Sequence, residues 1–271
     1  MANLLSKPIH SFVVGDNQSQ NRVVFLHGLF GRGKNFTRIA KGLTPEAQSL
    51  MVDLPNHGES GWTKDFVYEQ MADLVADHLL NDFASSLPVD VVGHSMGGKV
   101  AMILALRHPD LVRRLVVIDM SPVSTKSAGS EFEHLLSSLT SLDLTEVGSR
   151  LDAHKNLSSK IPNEGVRGFL LQNLKRNENG FEWEPNLQLL HSQLDTIMDF
   201  PEINQSAFIG PVLWVGGERS NYITDADEPA MRALFPLAER LTVAGAGHWV
   251  HSEKPAEVIA ALRAFLLDEQ A

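Results

Sequence analysis

Short β-branched runs alternate with helix-length segments through the first 120 residues of this chain, and that rhythm demands a mostly parallel sheet covered by helices on both faces. Strand-like runs occupy residues 9–14, 22–26, 50–52, 89–92 and 115–118, with helical stretches between them. Residues 66–84 are predicted to form an amphipathic helix, because Met71, Leu74, Val75, His78 and Leu79 are spaced to share one face. From 121 to about 208 the strand signals vanish and Ser, Leu, Asn and Glu dominate, which predicts a helical insertion. The rhythm returns with a strand at 211–215, a helix at 227–235, a strand at 240–243 and a last helix at 254–267. The expected organisation is an α/β core of residues 1–120 and 209–271, with 121–208 as a helical cap.

With 271 residues, 43% hydrophobic and 21% charged, the chain can bury a large core. Its net charge of -10 disfavours nucleic acid, and no basic stripe offsets this, since Arg113-Arg114 and Lys175-Arg176 are isolated pairs. The absence of cysteine excludes disulfides, thiol nucleophiles and cysteine-ligated metals. The longest apolar run, 100–106, is too short to cross a membrane, and the first ten residues lack the pattern of an export signal. A cytoplasmic location without membrane contact is therefore expected.

The chemistry centres on Gly93-His94-Ser95-Met96-Gly97, a G-x-S-x-G pentapeptide set where an apolar strand runs into an apolar helix. In that setting a sharp turn exposes the serine, while the flanking glycines let backbone pack closely. A serine hydroxyl is a weak nucleophile at neutral pH and needs a base, itself oriented by a third group. Of the eleven histidines, His248 is favoured because the small-residue loop 244–247 follows a late strand and can bring an imidazole over the sheet edge. His251 is expected to support that turn. His27 and His57 precede glycines at strand ends and are assigned to structural hydrogen bonding, and His94, inside the elbow, is expected to be packed rather than catalytic.

The acid departs from the usual layout. The loop after strand 211–215 reads Gly216-Gly217-Glu218-Arg219-Ser220, with Ser220 standing where a carboxylate is ordinarily found. Asp119, directly after the apolar run 116–118, ends at the same sheet edge as the elbow and is preferred as the group that holds the histidine tautomer. Glu218 is the first alternative; Asp225 and Asp227 lie where helix capping would explain them. Ser220 is then expected to hydrogen-bond Asp119. The backbone N–H groups of Leu29, in His27-Gly28-Leu29-Phe30-Gly31, and of Met96, at a helix N-terminus, are the candidate oxyanion donors. The loop 53–60 is read as structural.

These four elements, in this order, resemble the α/β-hydrolase superfamily over nearly the whole chain. Residues 27–31 look like its oxyanion loop, 56–60 like its turn after the next strand, 93–97 like its nucleophile elbow and 247–248 like its histidine loop. The stretches 27–31, 56–58, 93–99, 118–122 and 245–251 are similar to the YbfF-type esterases, a group that includes the abhydrolase-11 proteins. The resemblance implies an eight-stranded sheet with the cap inserted after strand 6. It also implies Asp119 as the triad acid with Ser220 nearby, and residues 121–208 as a lid. Phe132, Leu135, Leu136, Phe169, Leu170 and Trp183 are then candidate pocket residues, and Phe30, His94, Trp183 and Trp249 candidate substrate contacts. The activity expected is carboxylic-ester hydrolysis of small to medium acyl esters by Ser95, His248 and Asp119. An acyl-CoA thioesterase or another reaction of the fold, such as C–C bond hydrolysis, is the alternative. No metal or organic cofactor is expected.

Overall fold

The computed structural model describes residues 5–16 and 18–267, so the outermost ends of the expected core segments lie outside the described residues. One sheet contains β1 (Ser11–Val14), β2 (Asn21–Leu26), β3 (Ala47–Val52), β4 (Val89–His94), β5 (Val112–Ile118), β8 (Val212–Gly217) and β9 (Ala238–Val243). Its order is β1-β3-β2-β4-β5-β8-β9, parallel except for β1, which runs antiparallel on β3. The eight strands expected are thus seven among the described residues, and the insertion follows the fifth of them rather than the sixth. Before β1, Ser6 N–H donates to the Trp62 carbonyl (3.0 Å) and Trp62 N–H to Ser6 Oγ (2.8 Å).

The central strands are apolar on both faces because both are covered. Val24, Leu26, Val91, Leu115 and Val117 face α2 (Tyr68–Leu80) and α3 (Met96–Arg107), whereas Val23, Phe25, Val92, Val116 and Ile118 face α1 (Thr37–Lys41) and α11 (Pro255–Leu266). The successive residues of each strand alternate between two cores, as the two-residue period of the pleat requires. All functional loops considered below leave the C-terminal ends of these parallel strands, where open α/β sheets place their ligands.

Between β5 and β8 lie α4 (Gly129–Thr140), α5 (Arg150–Asn156), α6 (Glu164–Leu171), α7 (Leu187–Ser192) and α8 (Leu194–Met198). This stretch is not purely helical. Residues β6 (Leu174–Asn177) and β7 (Gly180–Trp183) form an antiparallel hairpin, turned at Gly180 with φ 122°. Its outer residues Lys175, Arg176 and Asn177 are exposed, so no apolar alternation announces it. The remaining helices are α9 (Glu228–Leu234) and α10 (Val250–Glu253). Among the described residues no helix is long and apolar enough to cross a membrane.

The turn from β4 into α3 is set by contact with β2. A Cβ on Gly97 would stand 2.4 Å from the carbonyl oxygens of both Leu26 and His27, which are backbone atoms that cannot swing aside. Gly97→Ala should therefore cost about 3 kcal/mol, at the top of the range for overpacking. A loss of unfolding free energy below about 1 kcal/mol in urea would refute the account.

Several histidines are buried as neutral rings. His57 is wholly buried, its Nδ1–H donating to the Pro55 carbonyl (3.2 Å) and its Nε2 unpaired; burial and then the nearby His27 hold its pKa at about 3. His251 stacks on Phe36 at 4.7 Å between ring centroids, and burial followed by the charge of His248 lowers it likewise to about 3. An unfolded chain binds these protons below about pH 6.5 while the folded one does not, so folding stability is full above 6.5 and falls as pH drops toward 3. Each ring contributes a slope of up to about 1.4 kcal/mol per pH unit in that window. Denaturant melts at pH 7, 6 and 5 should show this decline, and a flat profile would contradict it.

Candidate active site

Ser95 sits between β4 and α3 with φ 53° and ψ -122°, a conformation a side chain tolerates only when its surroundings enforce it. Its N–H donates to the Ile118 carbonyl (3.1 Å) on the neighbouring strand, and its carbonyl accepts from Gly98 and Lys99 N–H at 2.8 and 3.1 Å. Gly28 leaves room on the other side, where a Cβ would come 3.1 Å from Ser95 Cβ. These contacts fix the hydroxyl at the head of the sheet.

His248 arrives from the loop after β9. Its Nε2 lies 2.9 Å from Ser95 Oγ and its Nδ1 2.7 Å from Asp119 Oδ2. With Nδ1–H donating to the carboxylate, Nε2 is left as the acceptor for the serine hydroxyl. Tyr222 stacks on the imidazole, centroids 4.1 Å apart and planes at 27°. Behind it His94 donates from Nε2 to the His248 carbonyl (2.9 Å) and meets His251 edge-on at 4.4 Å. Burial, then the charges of His251 and His248, push the His94 pKa well below its ordinary value, so it serves as a fixed donor beside the loop.

Asp119 follows β5 directly with φ 52° and is fully buried. Its N–H extends the ladder to the Val215 carbonyl (2.9 Å), Oδ1 accepts from Gly217 N–H (3.0 Å), and Oδ2 accepts from both His248 and the Ser220 hydroxyl. Ser220 thus spends its hydroxyl on the carboxylate. The competing acids are engaged elsewhere: Glu218 accepts from Gly245 N–H (2.7 Å), Asp225 pairs with Arg240 (3.0 Å), and Asp227 accepts from Thr224 N–H (2.8 Å) in a capping box.

Opposite, Met96 opens α3, so its N–H is a first-turn donor with no acceptor inside the helix. Leu29 precedes Phe30, which has φ 61° and whose carbonyl accepts from Asn173 Nδ2 (2.7 Å) of the insertion. Both Leu29 and Met96 border the space at Ser95. His27 lies beneath this loop, its Nδ1–H donating to the Gly28 carbonyl (2.8 Å) and its Nε2 accepting from Leu54 N–H (2.9 Å). Asp53 organises the loop 53–60, accepting from Gly33 and Glu59 N–H at 2.7 and 2.9 Å. Gly58, at φ 51°, is required there because a Cβ would fall 2.2 Å from Asp53 Oδ2.

A cleft above Ser95 is lined by Phe30, His94, His248 and Trp249 from the core and by Phe132, Leu135, Val166, Phe169 and Leu170 from the insertion. Leu136 and Trp183 are not among its walls. Leu136 is wholly buried in the insertion's own core, and Trp183 stands on β7 opposite Leu174. Sequence reasoning missed Val166, Tyr222 and, above all, Lys99. The Lys99 side chain is buried and its Nζ donates among the carbonyls of Ile197, Met198 and Asp199 (3.1, 2.9 and 2.8 Å) and Thr125 Oγ1 (3.3 Å). Burial draws its pKa down to about 7, against the pull of Asp199. No group of three or more potential metal-ligating side chains occurs among the described residues.

The arrangement links a serine hydroxyl, an imidazole and a buried carboxylate by hydrogen bonds, with Leu29 and Met96 bordering the same space. Residues 21–255 match the family described as alpha/beta hydrolase fold. The chain is 39% identical to sn-1-specific diacylglycerol lipase ABHD11 of Mus musculus, covering 98% of this chain and 87% of that protein. It is 32% identical to esterase YbfF of Escherichia coli, covering 93% and 96%. A solved marine microorganism esterase superposes with TM-score 0.91 at 34% identity, over 96% of this chain and all of that one. The chain belongs to the alpha/beta hydrolase family, among the YbfF-type serine esterases related to the abhydrolase-11 proteins.

Proposed function

We infer that the protein hydrolyses carboxylic esters through a Ser95–His248–Asp119 triad and an acyl-enzyme. The observation that carries this reading is the unbroken hydrogen-bonded chain from Ser95 Oγ through both nitrogens of His248 to Asp119 Oδ2. His248 Nε2 takes the hydroxyl proton as Oγ adds to the ester carbonyl carbon, and the carbonyl electrons collect on oxygen in front of the Leu29 and Met96 amides. Collapse of that intermediate breaks the bond to the alcohol oxygen, which leaves with the proton from His248. Water then repeats both steps at the acyl-enzyme and releases the acid. Asp119 holds the ring in the required tautomer and stabilises the imidazolium, while Ser220 and the Gly217 amide hold Asp119.

Residues 121–208 act as the cap over this site, since their side chains form one wall of the cleft. The name of the mouse relative adds diacylglycerols to the esters worth assaying. A thioester can undergo the same chemistry, and turnover of p-nitrophenyl esters against acyl-CoA separates the two.

Ser95→Ala should lose fluorophosphonate labelling and lower kcat by on the order of 10⁴-fold or more. Asp119→Asn should lower it about 10⁴-fold, whereas Glu218→Gln leaves it unchanged. Full activity in Asp119→Asn would overturn the assignment of the acid. Ser220→Ala should alter the pH profile of kcat/KM, and an unchanged profile with unchanged activity would remove Ser220 from the site.

A further inference from the structure

A tetrahedral intermediate on Ser95 Oγ has three other substituents, and this site leaves little choice about where each points. The oxyanion faces the Leu29 and Met96 amides. The departing oxygen must lie near His248 Nε2 to collect its proton. The acyl chain takes the direction that remains, away from His248.

Two separate spaces open beside Ser95. The cleft includes His248 and Trp249 in its wall, together with Val166, Phe169 and Leu170. The second space is a smaller, narrower cavity that also touches Ser95, Leu29 and Phe132, but His248 is not part of its lining. Its other lining residues are Met96, Met120, Ile197, Met198, Lys99, Thr125 and Tyr222. Leu29 and Phe132 border both and divide them.

We propose that the smaller cavity holds the acyl chain and the larger cleft holds the alcohol, so that the enzyme selects short, unbranched acyl groups carried on bulky apolar alcohols. The proposal rests on the esterase reading above and adds to it the direction in which each half of the ester lies.

The polar part of the small cavity's lining explains the limit on length. Lys99 Nζ has three protons for four surrounding oxygens, those of Ile197, Met198, Asp199 and Thr125. These groups form a finished polar wall, and an alkyl chain pushed through it would leave buried polar atoms without partners. The side walls are different. The cavity is only about 10 Å³ as it stands, but Met96, Met120 and Met198 are unbranched and adapt their rotamers, so a shift of these side chains makes room for an acyl chain of a few carbons. The cleft is walled by Phe132, Leu135, Val166, Phe169, Leu170 and Trp249 on its apolar side, and Lys99 and the carbonyls around it are not part of its lining.

The test uses two ester series with the full-length enzyme: p-nitrophenyl esters from acetyl to octanoyl, and acetates of alcohols from methyl to naphthyl. In the first, kcat/KM should fall about tenfold or more between butanoyl and octanoyl, the scale expected when methylenes no longer fit. In the second, naphthyl acetate should be turned over at least as well as methyl acetate. Met198→Ala should raise the octanoyl-to-acetyl ratio of kcat/KM about tenfold. Met120→Ala, at another position in the lining, should do the same and stands in if the first variant fails to fold. Phe169→Ala should leave that ratio unchanged and alter the alcohol series instead. If Phe169→Ala relieves the octanoyl limit and the two methionine variants do not, the subsites are reversed and the proposal is wrong. A flat acyl profile in an enzyme whose Ser95 still takes the fluorophosphonate label overturns the proposal and leaves the esterase reading intact. Absence of the label on Ser95 overturns both.

Discussion

Everything at the site depends on one close approach, the backbone of Gly97 lying against the carbonyls of Leu26 and His27. It lets α3 begin so near the end of β2 that Ser95 is forced to φ 53° and its side chain stands clear of both elements. Leu29 and Met96, from different elements, both border the space at Ser95. Strain at Ser95, of order 1–3 kcal/mol for such a conformation, is offset by its hydrogen bonds to Ile118, Gly98 and Lys99. A site of this kind is preorganised because the sheet, and not the loops, determines its geometry.

The second constraint is the position of the acid. Asp119 is the residue after β5, hydrogen-bonded to β8 through its own N–H, and its carboxylate is gripped by Gly217 and Ser220. Burial of a carboxylate is costly unless donors surround it; here three do so, the Gly217 amide, the Ser220 hydroxyl and His248 Nδ1. The end of β8 and the loop after it supply an amide and a hydroxyl to that carboxylate, while the loop's own Glu218 is engaged with Gly245.

Much of this was legible in the residues because it follows from local rules. The strands of the core are continuous apolar runs, and the elbow is marked by its glycines. Asp119 is marked by following a β-branched strand, and the place of Ser220 opposite it follows from the loop register. The hairpin 174–183 was not legible, since its strands are four residues long and one carries three exposed polar side chains in succession. Lys99 was hidden for a different reason. A lysine in a helix ordinarily signals solvent, and only the fold shows that the carbonyls of residues 197–199, about a hundred positions away, surround it. The eighth strand came from the resemblance alone: the sequence offers seven strand-like runs, and each corresponds to one of the seven strands of the sheet among the described residues.

Asp119 is also the last core residue before the insertion begins, and the chain is pinned just after it. Trp214 Nε1–H donates to the Met120 carbonyl (2.7 Å) and the Ser121 hydroxyl donates to the Tyr222 carbonyl (2.8 Å). Asp119 is thus held between β5 and two anchored residues, so its place is fixed by the core sheet and not by residues 123–208.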